Sequence, residues 1–268
     1  TAKPDRELRR RLPHHLIDIC DPDERFHVGS FVKHADRLVE DIRGRGRVPV
    51  VSGGTAFYFK HLIFGLPGTP EATEETRTTL QRRLESEGLP SLYNELEQID
   101  PESADRISPN DQYRILRALE VYLESGKPRS AFSVGITPRE GFHFETVGLF
   151  RSRKELYERI NRRVEWMFRS GLPDEVSRLV RAGYDAETPA MRAIGYREFF
   201  RHATVEELHS GGLQRDTEET ILREIQKSSR RYAKRQMTFF NRLPGVTWIE
   251  PEATEWLRSR IDDLRSPS

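Results

Sequence analysis

The chain has a single cysteine, Cys20, in 268 residues. A disulfide within the chain is therefore impossible, and a zinc site built on several thiolates is excluded. No apolar run approaches the roughly 18 residues of a membrane-spanning helix, and no signal-peptide pattern is visible. Charge of one sign is also lacking. Lys and Arg number 44 against 43 Asp and Glu, for a formal net charge of +1. No global field draws a polyanion, so any affinity for nucleic acid must come from local clustering. Internal repeats and low-complexity tracts are absent. What remains is one large domain or two ordinary ones, expected to be soluble, cytoplasmic and free of membrane contact.

The apolar pattern orders these residues into elements. Leu16-Ile17-Asp18-Ile19 reads as a short strand amid turn-like sequence over residues 1–28. Ser30 is a candidate cap for a helix carrying Phe31, Ala35, Leu38, Val39 and Ile42, with Gly44 and Gly46 ending it. Val48-Pro49-Val50-Val51-Ser52 reads as a buried strand. Gly53-Gly54-Thr55 follows, then helical spacing from Ala56 to Phe64. Helix, strand, glycine turn and helix are the grammar of an α/β domain with a parallel sheet. Residues 67–136 turn polar and helical, with helices expected over 73–87, 92–99 and 111–124. A strand pattern returns over 142–150. Helices are expected at about 153–170, 173–182, 190–202 and 216–241, a strand at 246–249, and a terminal helix over 253–265. The resulting division is a core over 1–66, a helical insertion over 67–136, and a second core part over 137–268.

Several clusters bear on chemistry, each with a bland reading beside the sharp one. Gly53-Gly54-Thr55 lies between a strand and a helix, where free N–H groups make an anion site. A tight structural turn is the reading this stretch favours by itself, since the Lys that completes a phosphate loop is absent. His14-His15 lacks the spacing of a metal chelate, and no metal ligands are assigned. Asn110-Asp111 precedes Tyr113, Arg114 and Arg117 in a first helical turn, which suits phosphate and base contacts or an ordinary amphipathic helix. Pro189 starts a segment holding Arg192 and Gly195, in which Arg192 is a candidate phosphate clamp or a plain surface cation. Residues 223–242 form the densest cationic stretch. Arg223, Lys227, Arg231 and Lys234 recur every three or four residues, Arg230 and Arg235 widen the stripe, and Tyr232, Phe239 and Phe240 are interleaved. Such a face grips a phosphate backbone with unstacked bases, or is merely solvated.

Taken together, the order and spelling of these stretches resemble the tRNA dimethylallyltransferases, also called tRNA isopentenyltransferases. The matching stretches are Thr1–Pro4, His14–Asp18, Pro49–Tyr58, Gly65–Pro67, Asn110–Arg114 through Glu120, Met191–Tyr196, and Ala233–Thr238. The resemblance implies a helix-rich α/β fold, a P-loop-NTPase-like parallel sheet core with a helical insertion. It implies transfer of the dimethylallyl group of dimethylallyl diphosphate to N6 of the adenosine at position 37, next to the tRNA anticodon. Mg2+ assistance, the anticodon stem-loop as partner and a monomeric protein go with it. By matching motif, Thr55, Arg77, Tyr113, Arg114, Ile115, Leu116, Arg117, Lys234, Arg235, Gln236, Met237, Thr238 and Phe239 are implied tRNA contacts. Gly53 and Gly54 form the diphosphate-side turn, and Arg192 resembles the arginine that assists the diphosphate chemistry. Phe239 stands where the family usually has Trp. The family's phosphate loop, first strand and Asp base are not found in the sequence, which implies an N-terminal truncation and an inactive chain. A tRNA-binding fragment without catalysis, or a small-metabolite kinase on the same fold, are the alternatives.

Overall fold

The computed structural model describes residues 3–132 and 135–265. Thr1 and Ala2 of the Thr-Ala-Lys-Pro stretch lie outside the described residues. The chain divides into two units, one comprising 1–61 with 143–268 and the other 62–142. The second encloses the 67–136 stretch read as an insertion.

In the first unit, α1 (Arg6–Arg11) is capped by Asp5, and α2 (Val28–Gly44) by His27, whose ring nitrogen accepts from the Ser30 amide at 3.2 Å. The helix therefore starts before Ser30, and the cap is an imidazole rather than the expected hydroxyl. The strand expected over 16–19 does not form. Leu16 and Asp18 hold φ of 59° and 57°, a left-handed backbone incompatible with a strand. Lys3 and Arg9 both donate to the Asp18 carboxylate, holding its pKa below the usual range. Residues 48–52 are also not a strand. Val50 is 72% exposed, and among the described residues no neighbouring strand offers this run a ladder.

α3 (Ala56–Phe64) leads from the first unit into the second. There α4 (Glu74–Glu87), α5 (Leu89–Ile99), α6 (Pro101–Ala104) and α7 (Gln112–Ser125) enclose Leu80, Leu92, Leu96, Ile107, Ile115 and Leu119. Thr73 caps α4, accepting from the Thr76 amide, while its own amide donates to Glu124 at 2.8 Å. Asp111 caps α7 by accepting from Arg114 N–H at 3.1 Å, and Gly126 ends it at φ 66°.

Back in the first unit, β1 (Thr146–Leu149) pairs in parallel with β2 (Val246–Ile249). The connection between them, residues 150–245, carries α8 (Arg153–Arg169), α9 (Leu172–Arg181), α10 (Arg197–His202), α11 (Val205–Ser210) and α12 (Arg215–Phe240), and α13 (Thr254–Arg265) follows β2. Gly148 stands opposite Trp248, and a Cβ there would meet the indole at 2.6 Å. The core is Val164, Phe168, Leu172, Val176, Phe199, Ile221 and Ile225. The helix expected over 190–202 is broken. Residues Pro189–Arg192 form a 3-10 turn, and Gly195 at φ 103° separates it from α10. Glu207 closes a capping box with Thr204 and also accepts from the Gln214 amide at 2.9 Å, tying α11 to the entry of α12.

Candidate nucleic-acid interface

A helix advances about 100° per residue, so positions four apart share a face. On α12, Ile221 and Ile225 bury one face in the core. Farther along, that face continues as Tyr232, Gln236 and Phe240. Here it meets the glycine turn. Gln236 Nε2 donates to the Gly54 carbonyl at 2.7 Å, and Tyr232 Oη donates to the same oxygen at 3.3 Å. Phe240 sets its ring edge-on to Phe59 of α3 at 5.8 Å. A Cβ at Gly54 would fall on the Gln236 amide, so a larger residue there would push that side chain off the carbonyl. The turn exposes Gly53 and Thr55, and Thr55 O accepts from Tyr58 N–H at 2.8 Å to open α3. Two stretches nearly 180 residues apart thus meet in one place.

The opposite face of α12 carries the cations. Arg223, Lys227, Arg231 and Lys234 are all exposed, as the spacing predicts. Lys227 pairs with Glu224 at 2.8 Å, and Arg223 donates to the Glu219 carbonyl. Arg231 and Lys234 form no salt bridge among the described residues. Arg235 lies 5.7 Å from the Tyr232 ring in a cation–π contact. Thr238 is exposed and donates its hydroxyl to Lys234 O at 3.0 Å. Arg230 does not widen the stripe. It turns to α8 and donates to Asn161 Oδ1 at 2.6 Å. Of the rings read from sequence as stacking surfaces, Tyr232 bonds the turn through its hydroxyl and Phe240 packs on Phe59 of α3. Phe239 and Met237 are half-buried.

In the second unit, the segment 113–117 splits by face. Tyr113 is 79% exposed and Arg114 is exposed, paired with Asp111 at 3.2 Å. Ile115 is fully buried in the core and Leu116 packs against it, so both side chains serve packing. Arg117 is a structural clamp, donating to Pro70 O at 2.8 Å and Glu120 at 2.9 Å. Arg77 is exposed, with Glu74 at 3.7 Å. In the first unit, Arg192 is exposed at the end of the 3-10 turn and pairs with Glu187 at 2.6 Å. A second group of cations, not singled out by sequence, lies on α8, where Arg159, Arg162 and Arg163 are exposed without salt bridges among the described residues. The Arg-x-x-Arg-Arg spacing was the available signal.

The profile of the IPP transferase family matches residues 1–243. The chain belongs to the IPP transferase family. The tRNA dimethylallyltransferase of Geobacter sulfurreducens is 41% identical over 251 residues, 93% of this chain and 78% of the relative. That of Borrelia turicatae is 39% identical over 268 residues, 99% of this chain and 82% of the relative. The crystal structure of the Bacillus halodurans tRNA isopentenylpyrophosphate transferase superposes with a TM-score of 0.62 at 33% identity, covering 98% of this chain and 82% of that one. A eukaryotic dimethylallyltransferase solved acting on tRNA gives a TM-score of 0.75 at 26% identity, over 95% of this chain and 64% of that one. The helix-rich α/β class with its parallel strands is thus the fold of the IPP transferases. No helix among the described residues is long and apolar enough to cross a membrane.

Proposed function

We propose that the chain serves transfer of the dimethylallyl group from dimethylallyl diphosphate to N6 of the adenosine at position 37 of tRNA. The observation that carries this is the junction of the Gly53-Gly54-Thr55 turn with a helix whose other face is cationic. Arg231 and Lys234 on the far face of α12 grip the RNA backbone, Arg235 beside the Tyr232 ring leads it round towards the turn, and the exposed Thr55 is the contact for a base swung out of the stack. In the reaction, N6 bonds to the allylic carbon, the C–O bond to diphosphate breaks, and the amine proton leaves to a base. Arg192 is the assigned cation for the departing diphosphate. Its pair with Glu187 is exposed, so releasing it costs about 1 kcal/mol or less. Tyr113, Arg114 and Arg77 are assigned to further tRNA contacts. Magnesium, implied by resemblance, finds no group of three His, Cys, Asp or Glu side chains among the described residues to hold it. No step here passes through it.

The test uses labelled dimethylallyl diphosphate and unmodified tRNA. The chain is assayed as it stands and with a relative's phosphate-loop segment fused ahead of residue 1. Label in adenosine 37 from the fusion is the expected result. A folded fusion that binds tRNA and transfers nothing overturns the proposed transfer and leaves a tRNA-binding protein.

A further inference from the structure

The Gly54 carbonyl is held by two donors from one helix face, Gln236 and Tyr232, one helical turn apart. The same helix presents Arg231, Lys234 and Thr238 on its far side. An α-helix moves as a stiff body, so a load on the cationic side is felt on the other. Gln236 lies between Arg235 and Met237 within a segment expected to touch RNA. Its amide is nevertheless spent inside the protein, half-buried and aimed at the turn. The turn itself is exposed and belongs to no strand or helix, so by itself it is a low-stability segment.

We propose that Gln236 is a positioning residue that couples RNA engagement on α12 to the geometry of the Gly53-Gly54-Thr55 turn. It acts through Gly54 O and makes no direct contact with RNA. The proposal rests on the reading of α12 as the tRNA grip. RNA bound along the cations stiffens the helix, and Gln236 passes that order to the backbone beside Thr55, ahead of any chemistry.

The experiment follows amide hydrogen exchange over residues 52–60 in the full chain, with and without an unmodified anticodon stem-loop, alongside RNA titrations by anisotropy. Gln236→Met keeps length and neutrality but removes the donor, and circular dichroism checks that it folds. In the original protein, RNA should slow exchange of the turn several-fold. In Gln236→Met the turn should exchange faster without RNA and lose most of the RNA-dependent slowing, while RNA affinity stays within about threefold. A Lys234→Ala/Arg235→Ala variant should lose affinity but keep the RNA-free exchange of the turn. Unchanged slowing in Gln236→Met overturns the coupling. Affinity loss in Gln236→Met as large as in the double variant also overturns it, because it makes Gln236 an RNA contact. If the original protein binds no RNA at all, the tRNA reading itself fails and the coupling falls with it. Faster exchange of the turn in RNA-free Gln236→Met would then still report the bond to Gly54.

Discussion

At the scale of single residues, the same motif separates into contact and scaffold. Ile115 and Tyr113 are two positions apart on α7, which puts them on different faces. One is fully buried and the other 79% exposed. Ile115→Ala should cost about 2–5 kcal/mol of stability, read by urea unfolding, through lost burial and a cavity. Its tRNA affinity, measured below the transition, should stay unchanged. Tyr113→Ala should do the reverse, weakening binding with little effect on unfolding. If Ile115→Ala weakens binding while stability holds, the division of the segment by face is wrong. Glu207 offers a pH prediction. The Thr204 and Gln214 amides stabilise its carboxylate and bring its pKa from 4.5 down to about 2. A pKa lowered on folding contributes stability that is present above the unfolded value and fades as pH falls towards the folded one. The protein should therefore lose stability between about pH 5 and pH 2. Glu207→Gln should melt lower at pH 7 by about 1–2 kcal/mol, the usual worth of a helix cap, and the gap should close near pH 2. A gap that persists at pH 2 would assign the loss to packing instead.

At the scale of elements, patterns that depend on local spacing were readable. The extents of α4, α7, α8, α12, β1, β2 and α13 follow from apolar period, caps and glycines within a few positions. Residues 48–52 were not readable, because a β-branched run becomes a strand only where another strand pairs with it. The break at Gly195 was underread. Glycine inside a helical pattern signals either tolerated packing or a positive φ, and spacing alone does not choose. Gly195→Ala should destabilise by about 1–2 kcal/mol because its φ of 103° excludes a side chain. Thermal melts check this, and a neutral result would mean the loop relaxes freely. The site was legible in part. The cationic stripe of α12 emerged from its three- and four-residue spacing, but its far face did not, since Gly54 and Gln236 meet only in the fold. The stripe carries its own prediction. Lys234→Ala with Arg235→Ala should weaken tRNA binding and reduce the slope of log affinity against log salt by about one to two. An unchanged slope would remove these residues from the phosphate backbone.

At the scale of the whole molecule, near-neutral charge and strong local charge are compatible because the chain divides its work. Each unit owns a core, Leu80, Leu92, Leu96, Ile115 and Leu119 in one, Val164, Phe168, Val176, Ile221 and Ile225 in the other. The second unit is a single contiguous stretch, so its core contacts close short loops, whereas the first joins residues 1–61 to 143–268. Proteins with separate cores depart from two-state unfolding. Scanning calorimetry should therefore resolve two transitions. Leu96→Ala removes a side chain with no exposure and should lower one transition by roughly 10 °C or more, as a loss of about 2–5 kcal/mol implies for a domain of this size. Val176→Ala should lower the other. Distant, independent sites add, so the double variant should show both shifts undiminished. One transition moved equally by either substitution would mean that the two cores melt as one.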